Sequence, residues 1–273
     1  MGFTLNHYDL CVVNKEINGS TRTIVFYVDD NKVSHKDPKV VQNILSILKE
    51  YFGDLTVNNS REFDFLGMNI KIREDKKIEM EMKSQIEEAI EWLGEDIDST
   101  PKSPANRNLF SEKEGAEELI GEKSDTFHSI VAKLLYISKR ARPDIEVAVA
   151  YLCTRVSKST DDDWKKLKRV LGFLKGTIDD IRVIGVNSMK DLYTWVDASY
   201  AVHEDMRSQT GGVMSFGHGI LHHKSFVQKL NTKSSTEAEL VGTSEYVPYN
   251  IWMKKILHEQ GYDIKDKVHL GTR

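Results

Sequence analysis

Five residues near the start of the chain, Phe26-Tyr27-Val28-Asp29-Asp30, close an apolar, β-branched run that opens at Thr23-Ile24-Val25. Such a run is the pattern of a buried strand. Two adjacent carboxylates at its tip repel each other, so they belong either in a solvated Asx-type turn or where divalent cations neutralise them. The second setting is a two-metal site, in which Mg²⁺ or Mn²⁺ holds the attacking and leaving oxygens of a phosphoryl transfer. On both readings the chain turns back here. Asn31 to His35 is expected to return as a strand, leaving Asp29 and Asp30 at the exposed tip of a hairpin.

Composition narrows the class of protein only broadly. The chain has 273 residues, 40% hydrophobic and 29% charged, which is enough apolar material for two cores. Its formal charge of -4 excludes a generally basic coat, so any nucleic acid must be met by local patches. Cys11 and Cys153 are far apart and lack metal-ligand spacing, which suits a reducing intracellular compartment. No apolar run reaches the ~20 residues that span a bilayer, and no signal-peptide pattern opens the chain, so no membrane partner is expected.

Further along, Asn18-Gly19 between two apolar runs predicts a first hairpin. Asp37-Pro38 predicts a helix start, and Val41, Ile44, Leu45, Leu48 and Phe52 recur at helical spacing to about Phe52. From Arg61 to Arg73 the alternation shifts phase at Leu66-Gly67, which predicts a β-bulge or bend. A strand over Lys77–Met82 and a helix over Ser84–Leu93 follow. Residues 94–125, with Pro101, Pro104 and many charges, read as a flexible linker, with a helical turn or two over Lys113–Ile120. Three helices are expected next, about Phe127–Arg140, Pro143–Ser157 and Asp161–Gly176. Asp161-Asp162-Asp163 complements the dipole of the third helix and is not taken as a metal cluster. Lys165, Lys166, Lys168 and Arg169, with Lys139, Arg140 and Arg142, offer the best basic surface for phosphates, or simply a solvated helix face.

The last third reads as a three-stranded meander, Leu192–Val196, Gly212–Phe216 and Leu221–Val227. A long helix opens at Ser234-Ser235-Thr236-Glu237-Ala238-Glu239, where Ser234 with Glu237 and Thr236 with Glu239 make two overlapping capping boxes, and a kink is expected at Pro248. Asp197 closes the first strand of the meander and Glu237 lies in the first turn of the helix, so each has a local structural role open to it.

Taken in order, several strings resemble the pol polyprotein of Ty1/copia-type retrotransposons from about Asp9 to about Leu270. They are Tyr27-Val28-Asp29-Asp30; Phe65-Leu66-Gly67; Leu134-Leu135-Tyr136 with Arg142-Pro143-Asp144-Ile145; Phe173-Leu174-Lys175-Gly176-Thr177; Asp197-Ala198-Ser199; Arg207-Ser208-Gln209-Thr210-Gly211-Gly212; and Ser234 to Glu239. The resemblance implies an α+β chain: a partial reverse transcriptase palm hairpin with the start of the thumb over 1–93, a linker over 94–125, helical thumb or connection over 126–185, and an α/β ribonuclease H-like domain with a mixed sheet over 186–273.

It implies catalytic, metal-holding acids at Asp29, Asp30, Asp197 and Glu237, with Mg²⁺ or Mn²⁺ as cofactor. Tyr27, Phe65, Leu66 and Gly67 would meet nucleic acid, alongside Lys165, Lys168 and Arg169. The implied partners are RNA template, DNA primer and RNA–DNA hybrid, in a cytoplasmic virus-like particle or the nucleus. The family's third polymerase aspartate and fingers precede the matching region, and its later nuclease aspartates follow it. The expectation is therefore a piece truncated at both ends, either a fragment of a working polymerase and nuclease or a catalytically silent remnant that retains nucleic-acid or partner binding.

Overall fold

The computed structural model describes residues 2–17, 19–28 and 30–270. Its first unit is an antiparallel sheet in the order β1-β2-β3-β4, built from β1 (Thr4–Leu5), β2 (Val12–Ile17), β3 (Ser20–Tyr27) and β4 (Asp30–Ser34). The pairing of Ile17 with Ser20 closes the expected first hairpin, and that of Tyr27 with Asp30 closes the second. Asn18 and Asp29 lie outside the described residues. Helix α1 (Pro38–Phe52) starts as its sequence dictates, with the Asp37 carboxylate accepting from the Lys39 N–H at 2.9 Å and proline in the first turn. Ile44 is buried, but Phe52, expected on the same inward face, is exposed at the end of the helix.

Strands β5 (Glu62–Phe65), β6 (Met68–Ile72) and β7 (Ile78–Glu81) form a meander. The phase shift at Leu66-Gly67 is not a bulge. Phe65 pairs with Met68, and φ is 52° at Leu66 and 69° at Gly67, so the two residues form a tight hairpin turn with both central residues left-handed. That turn type matches the strand twist, and glycine removes the steric cost at its second position.

Four helices bury one apolar surface against each other: α2 (Lys83–Trp92), α3 (Glu122–Arg140), α4 (Glu146–Arg155) and α5 (Asp161–Gly176). Ile86, Phe127, Leu134, Ile137, Leu152, Leu167 and Leu174 are fully buried there. Each such side chain contributes about 1.5–3 kcal/mol. Residues 94–125 were expected to be a flexible linker, and the structure corrects this. The segment has no helix before Glu122, yet Ile97 and Leu109 are buried in the helical core, Lys168 pairs with Glu95 at 2.8 Å, and the Leu119 N–H donates to Ser159 O at 2.8 Å. Its few apolar residues tie it across α5 as a strap.

A 3₁₀ turn, Pro143–Ile145, links α3 to α4. Beside it Arg142 is only 3% exposed, and its guanidinium donates to Asp144 at 2.7 Å and to Thr177 O and Oγ1 at 2.9 and 2.6 Å. Two of the strings singled out in the sequence, Arg142–Ile145 and Phe173–Thr177, thus hold each other. After α5 the chain enters β8 (Arg182–Val186), which pairs antiparallel with β7. Residues 182–185 were expected to belong to a helical region, and 186 to begin the next domain. They instead return to the earlier meander and complete a sheet ordered β11-β8-β7-β6-β5, with β11 being Gly217–His218.

The last sheet is ordered β12-β10-β9-β13, from β9 (Asp191–Ser199), β10 (Gln209–Ser215), β12 (His222–Val227) and β13 (Lys265–Leu270). The meander is antiparallel and β13 runs parallel to β9. Helix α6 (Ser235–Glu259), with Pro248 inside it, covers one face. Asn250 donates to Thr194 Oγ1 at 2.8 Å, and Gly212 lets Tyr246 lie so close that a Cβ there would stand 2.2 Å from its ring. The far end of α6 holds the first sheet, through Trp252 Nε1 to Tyr8 O at 2.9 Å and Thr21 Oγ1 to Gln260 O at 3.1 Å. Among the described residues no helix is long and apolar enough to cross a membrane.

Arg142→Ala removes a buried guanidinium and its bonds to the exposed Asp144 and the half-buried Thr177, and the expected loss is about 1–2 kcal/mol of stability, read as a lower urea midpoint. A loss within 0.5 kcal/mol, on the order of an ordinary surface change, would contradict the role given to this residue.

Candidate functional site

The hairpin of β3 and β4 projects its tip into solvent. Tyr27 is 51% and Val28 84% exposed, Val28 adopts φ 51° as the turn begins, and Asp30 is exposed on the returning strand. Asp29, its expected partner, lies outside the described residues. Exposure is what an unpaired carboxylate requires, because burial without a counter-charge costs far more than a turn can return.

The Phe65-Leu66-Gly67 turn is held from outside its own sheet. Tyr136 of α3 donates its hydroxyl to Leu66 O at 2.6 Å, and the Arg140 guanidinium lies 3.5 Å over the Tyr136 ring. The tyrosine of Leu134-Leu135-Tyr136 therefore clamps the turn, and the arginine holds the tyrosine. The basic residues of α5 are less free than their sequence implied. Lys165 pairs with Asp161 at 2.9 Å, Lys166 with Asp162 at 3.1 Å, Lys168 with Glu95 at 2.8 Å, and Arg169 donates to Ser103 at 3.2 Å. The local acids neutralise most of what looked like a phosphate-binding face. The acidic triplet itself starts its helix, with Thr160 and Asp163 closing a capping box.

In the last sheet, strand alternation sorts the acids. Leu192, Thr194 and Val196 face α6, so Asp197 projects from the opposite face, and it is exposed. Glu237 lies at the same end of the sheet, where neighbouring Ala238 O accepts from Gln228, which also donates to Thr210. Its carboxylate, however, accepts from the Lys233 N–H at 2.7 Å, while its own N–H donates to Ser234 Oγ at 3.2 Å. Ser234 is the cap, but Glu237 reaches back to the Lys233 N–H and not to that of Ser234, and Thr236 lies inside the helix, so neither expected capping box closes. Among the described residues no three His, Cys, Asp or Glu side chains are grouped to hold a metal ion.

No family model matches the chain. It is 28% identical over 267 residues to the retrovirus-related Pol polyprotein from transposon TNT 1-94 of Nicotiana tabacum, across 95% of this chain. The corresponding polyprotein from transposon RE2 of Arabidopsis thaliana is 27% identical across 89%, and the transposon Ty1-LR3 Gag-Pol polyprotein of Saccharomyces cerevisiae 24% across 83%. The chain is homologous to part of the Ty1/copia-type Pol polyproteins. It spans 20%, 17% and 14% of the length of these three relatives. A solved structure of the foamy viral protease-reverse transcriptase in complex with RNA/DNA hybrid has a similar fold, with a TM-score of 0.51 at 13% identity, covering 92% of this chain and 36% of that one.

The sequence strings of this Pol homologue did not mark a buried polar cluster where α4 meets β12. Glu146 is buried, ion-paired with Lys139, and accepts from Ser138 Oγ at 3.1 Å and the Ser225 N–H at 3.3 Å. His223 lies beside it, Nδ1 to Oε2 at 3.6 Å, and neither ring nitrogen has a hydrogen-bond partner. A lone Glu in a helix first turn and a His in a strand carry no spacing signal, so only the fold could reveal the pair. Burial, chiefly, holds both His222 and His223 down to about 4.

Unfolded histidine titrates near ~6.5, so between that pH and about 4 the unfolded chain binds protons that the native one refuses. The stability this contributes is complete above ~6.5 and is lost as pH falls. The urea midpoint should therefore drop between pH 7 and pH 4.5, and the drop should shrink in His223→Phe, which fills the site without a titrating group. An unchanged slope in that variant would contradict the assignment.

Proposed function

We propose that the chain is the part of a retrotransposon reverse transcriptase–ribonuclease H that runs from the polymerase's catalytic turn through connecting helices to the nuclease-like sheet, and that it holds RNA–DNA hybrid. The carrying observation is collinearity: an exposed acidic hairpin, a helical core clamped to the Phe65-Leu66-Gly67 turn, and a mixed sheet with an exposed Asp197 follow one another across a chain matched over 83–95% of its length by Pol relatives. RNA template and DNA primer are the proposed strands. Asp29, Asp30, Asp197 and Glu237 remain the proposed acids, with Mg²⁺ or Mn²⁺ as the ion they would share with further ligands in RNA-directed synthesis and RNA-strand cleavage. Tyr27 and the turn at Phe65–Gly67 are the proposed hybrid contacts beside the tip.

A second reading, binding without turnover, is favoured by one arrangement. Glu237 is engaged in capping its own helix, and Asp197 leaves the face that α6 does not cover. The two readings separate experimentally. Fluorescence anisotropy with labelled RNA–DNA hybrid tests binding, and the same preparation with Mg²⁺ or Mn²⁺ is assayed for primer extension and hybrid cleavage. Tight hybrid binding with product that vanishes in Asp30→Asn or Asp197→Asn supports turnover; binding without product supports the second reading. No hybrid binding at moderate salt would sink both.

A further inference from the structure

The sheet face opposite α6 carries a second feature that the acids do not explain. Three aromatic side chains share it: Tyr193 and Trp195 on β9, and His269 on β13, whose backbone is paired with Trp195. Their centroids are 5.9 Å (Tyr193–Trp195), 5.7 Å (Trp195–His269) and 6.5 Å (Tyr193–His269) apart, with planes within 6–16° of parallel. In a column of three rings the outer pair would be about twice as far apart as neighbours. Here all three separations are similar, so the ring centres form a triangular cluster, here called a tile, and not a column. Trp195 is 41% exposed, His269 is exposed and Tyr193 is half-buried, so aromatic surface meets solvent.

Beside the tile β13 is an edge strand, and Lys265 and Lys267 alternate onto the same face as His269. Lys267 lies 5.1 Å from the Tyr193 ring centroid and pairs with Asp191 at 3.3 Å, while Lys265 is exposed. Trp195 also walls a cavity of about 400 Å³ that lies between this face and Pro143, Glu146 and Val147. Gly211 and Asp197, paired across β10 and β9, line it, and a Cβ on Gly211 would meet nothing within 4 Å. The open space over Gly211 is thus reached from the tile, with a carboxylate beside it.

Flat rings, a cationic edge and an adjoining slot with an acceptor are complementary to one chemistry. Unpaired nucleobases stack on aromatic faces whatever their sequence, their phosphates seek lysines, and their amino and imino N–H groups donate to a carboxylate. A duplex offers none of its base faces. We propose that this face binds single-stranded nucleic acid, with bases stacking on Tyr193, Trp195 and His269 and one base entering the cavity over Gly211. The proposal deepens the nucleic-acid reading given above and rests on it.

The test uses the whole chain and labelled single-stranded RNA and DNA oligonucleotides of mixed sequence, with RNA–DNA hybrid measured in parallel. Trp195→Leu, which keeps an apolar side chain at an exposed position, should weaken single-strand binding roughly tenfold while hybrid binding holds. Gly211→Val should also weaken it, since the added side chain enters only empty space. Lys265→Gln should lower the slope of log affinity against log salt by about 0.7. Single-strand affinity unchanged in both Trp195→Leu and Gly211→Val overturns the platform while leaving hybrid binding standing, whereas failure of the unmodified chain to bind hybrid overturns the broader reading instead. A dimer that Trp195→Leu returns to monomer, with oligonucleotide affinity untouched, would assign the face to a second copy and overturn the proposal.

Discussion

Burial of one apolar surface shared by α2, α3, α4 and α5 is the constraint on which the other parts hang. The strap of residues 94–121 is held to it by Ile97 and Leu109, and the Phe65–Gly67 turn by Tyr136 on α3. On another side Glu146, in the first turn of α4, reaches the Ser225 backbone of β12 and so ties the last sheet to the helices. The buried Arg142 locks the chain reversal between α3 and α4 against the end of α5. The planar guanidinium grips the Asp144 carboxylate through Nε and Nη2 while Nη1 and Nη2 reach the Thr177 carbonyl and hydroxyl, a span that the single ammonium nitrogen of a lysine does not reproduce.

The carboxylates illustrate how electrostatics sorts residues of one chemical type. Asp30 and Asp197 are exposed, Glu237 caps a helix, Asp161 and Asp162 pair with lysines one turn on, and Glu146 is buried only because Lys139, Ser138 and the Ser225 amide all meet it. Each arrangement is a different way of avoiding a dry, unpaired negative charge. The lysines of α5 follow the same logic, and their pairing removes the strongest candidate phosphate surface that the linear sequence offered.

The last sheet shows what alternation does for function. Its two faces differ completely: one is sealed by α6 with Tyr246 against Gly212, and the other carries Asp197, the aromatic tile and the cavity. A shift of register by one residue would exchange them. The acid and the stacking surface are therefore fixed together by the same pairing of β9 with β10 and β13.

Local chemistry in the sequence determined much of this protein. Asp37-Pro38 started α1, the tyrosine-valine-aspartate run made a hairpin, Ser234 capped α6, and the ordered strings pointed to a Pol homologue, because caps, alternation and turns act within a few residues. Only the tertiary structure decided that Leu66-Gly67 is a turn clamped by Tyr136, that the charged stretch before α3 is a packed strap, that Arg182–Val186 rejoins an earlier sheet, and that Glu146 lies against His223. Those outcomes depend on partners tens of residues away. Local propensity does not encode them; burial and charge pairing between distant segments do.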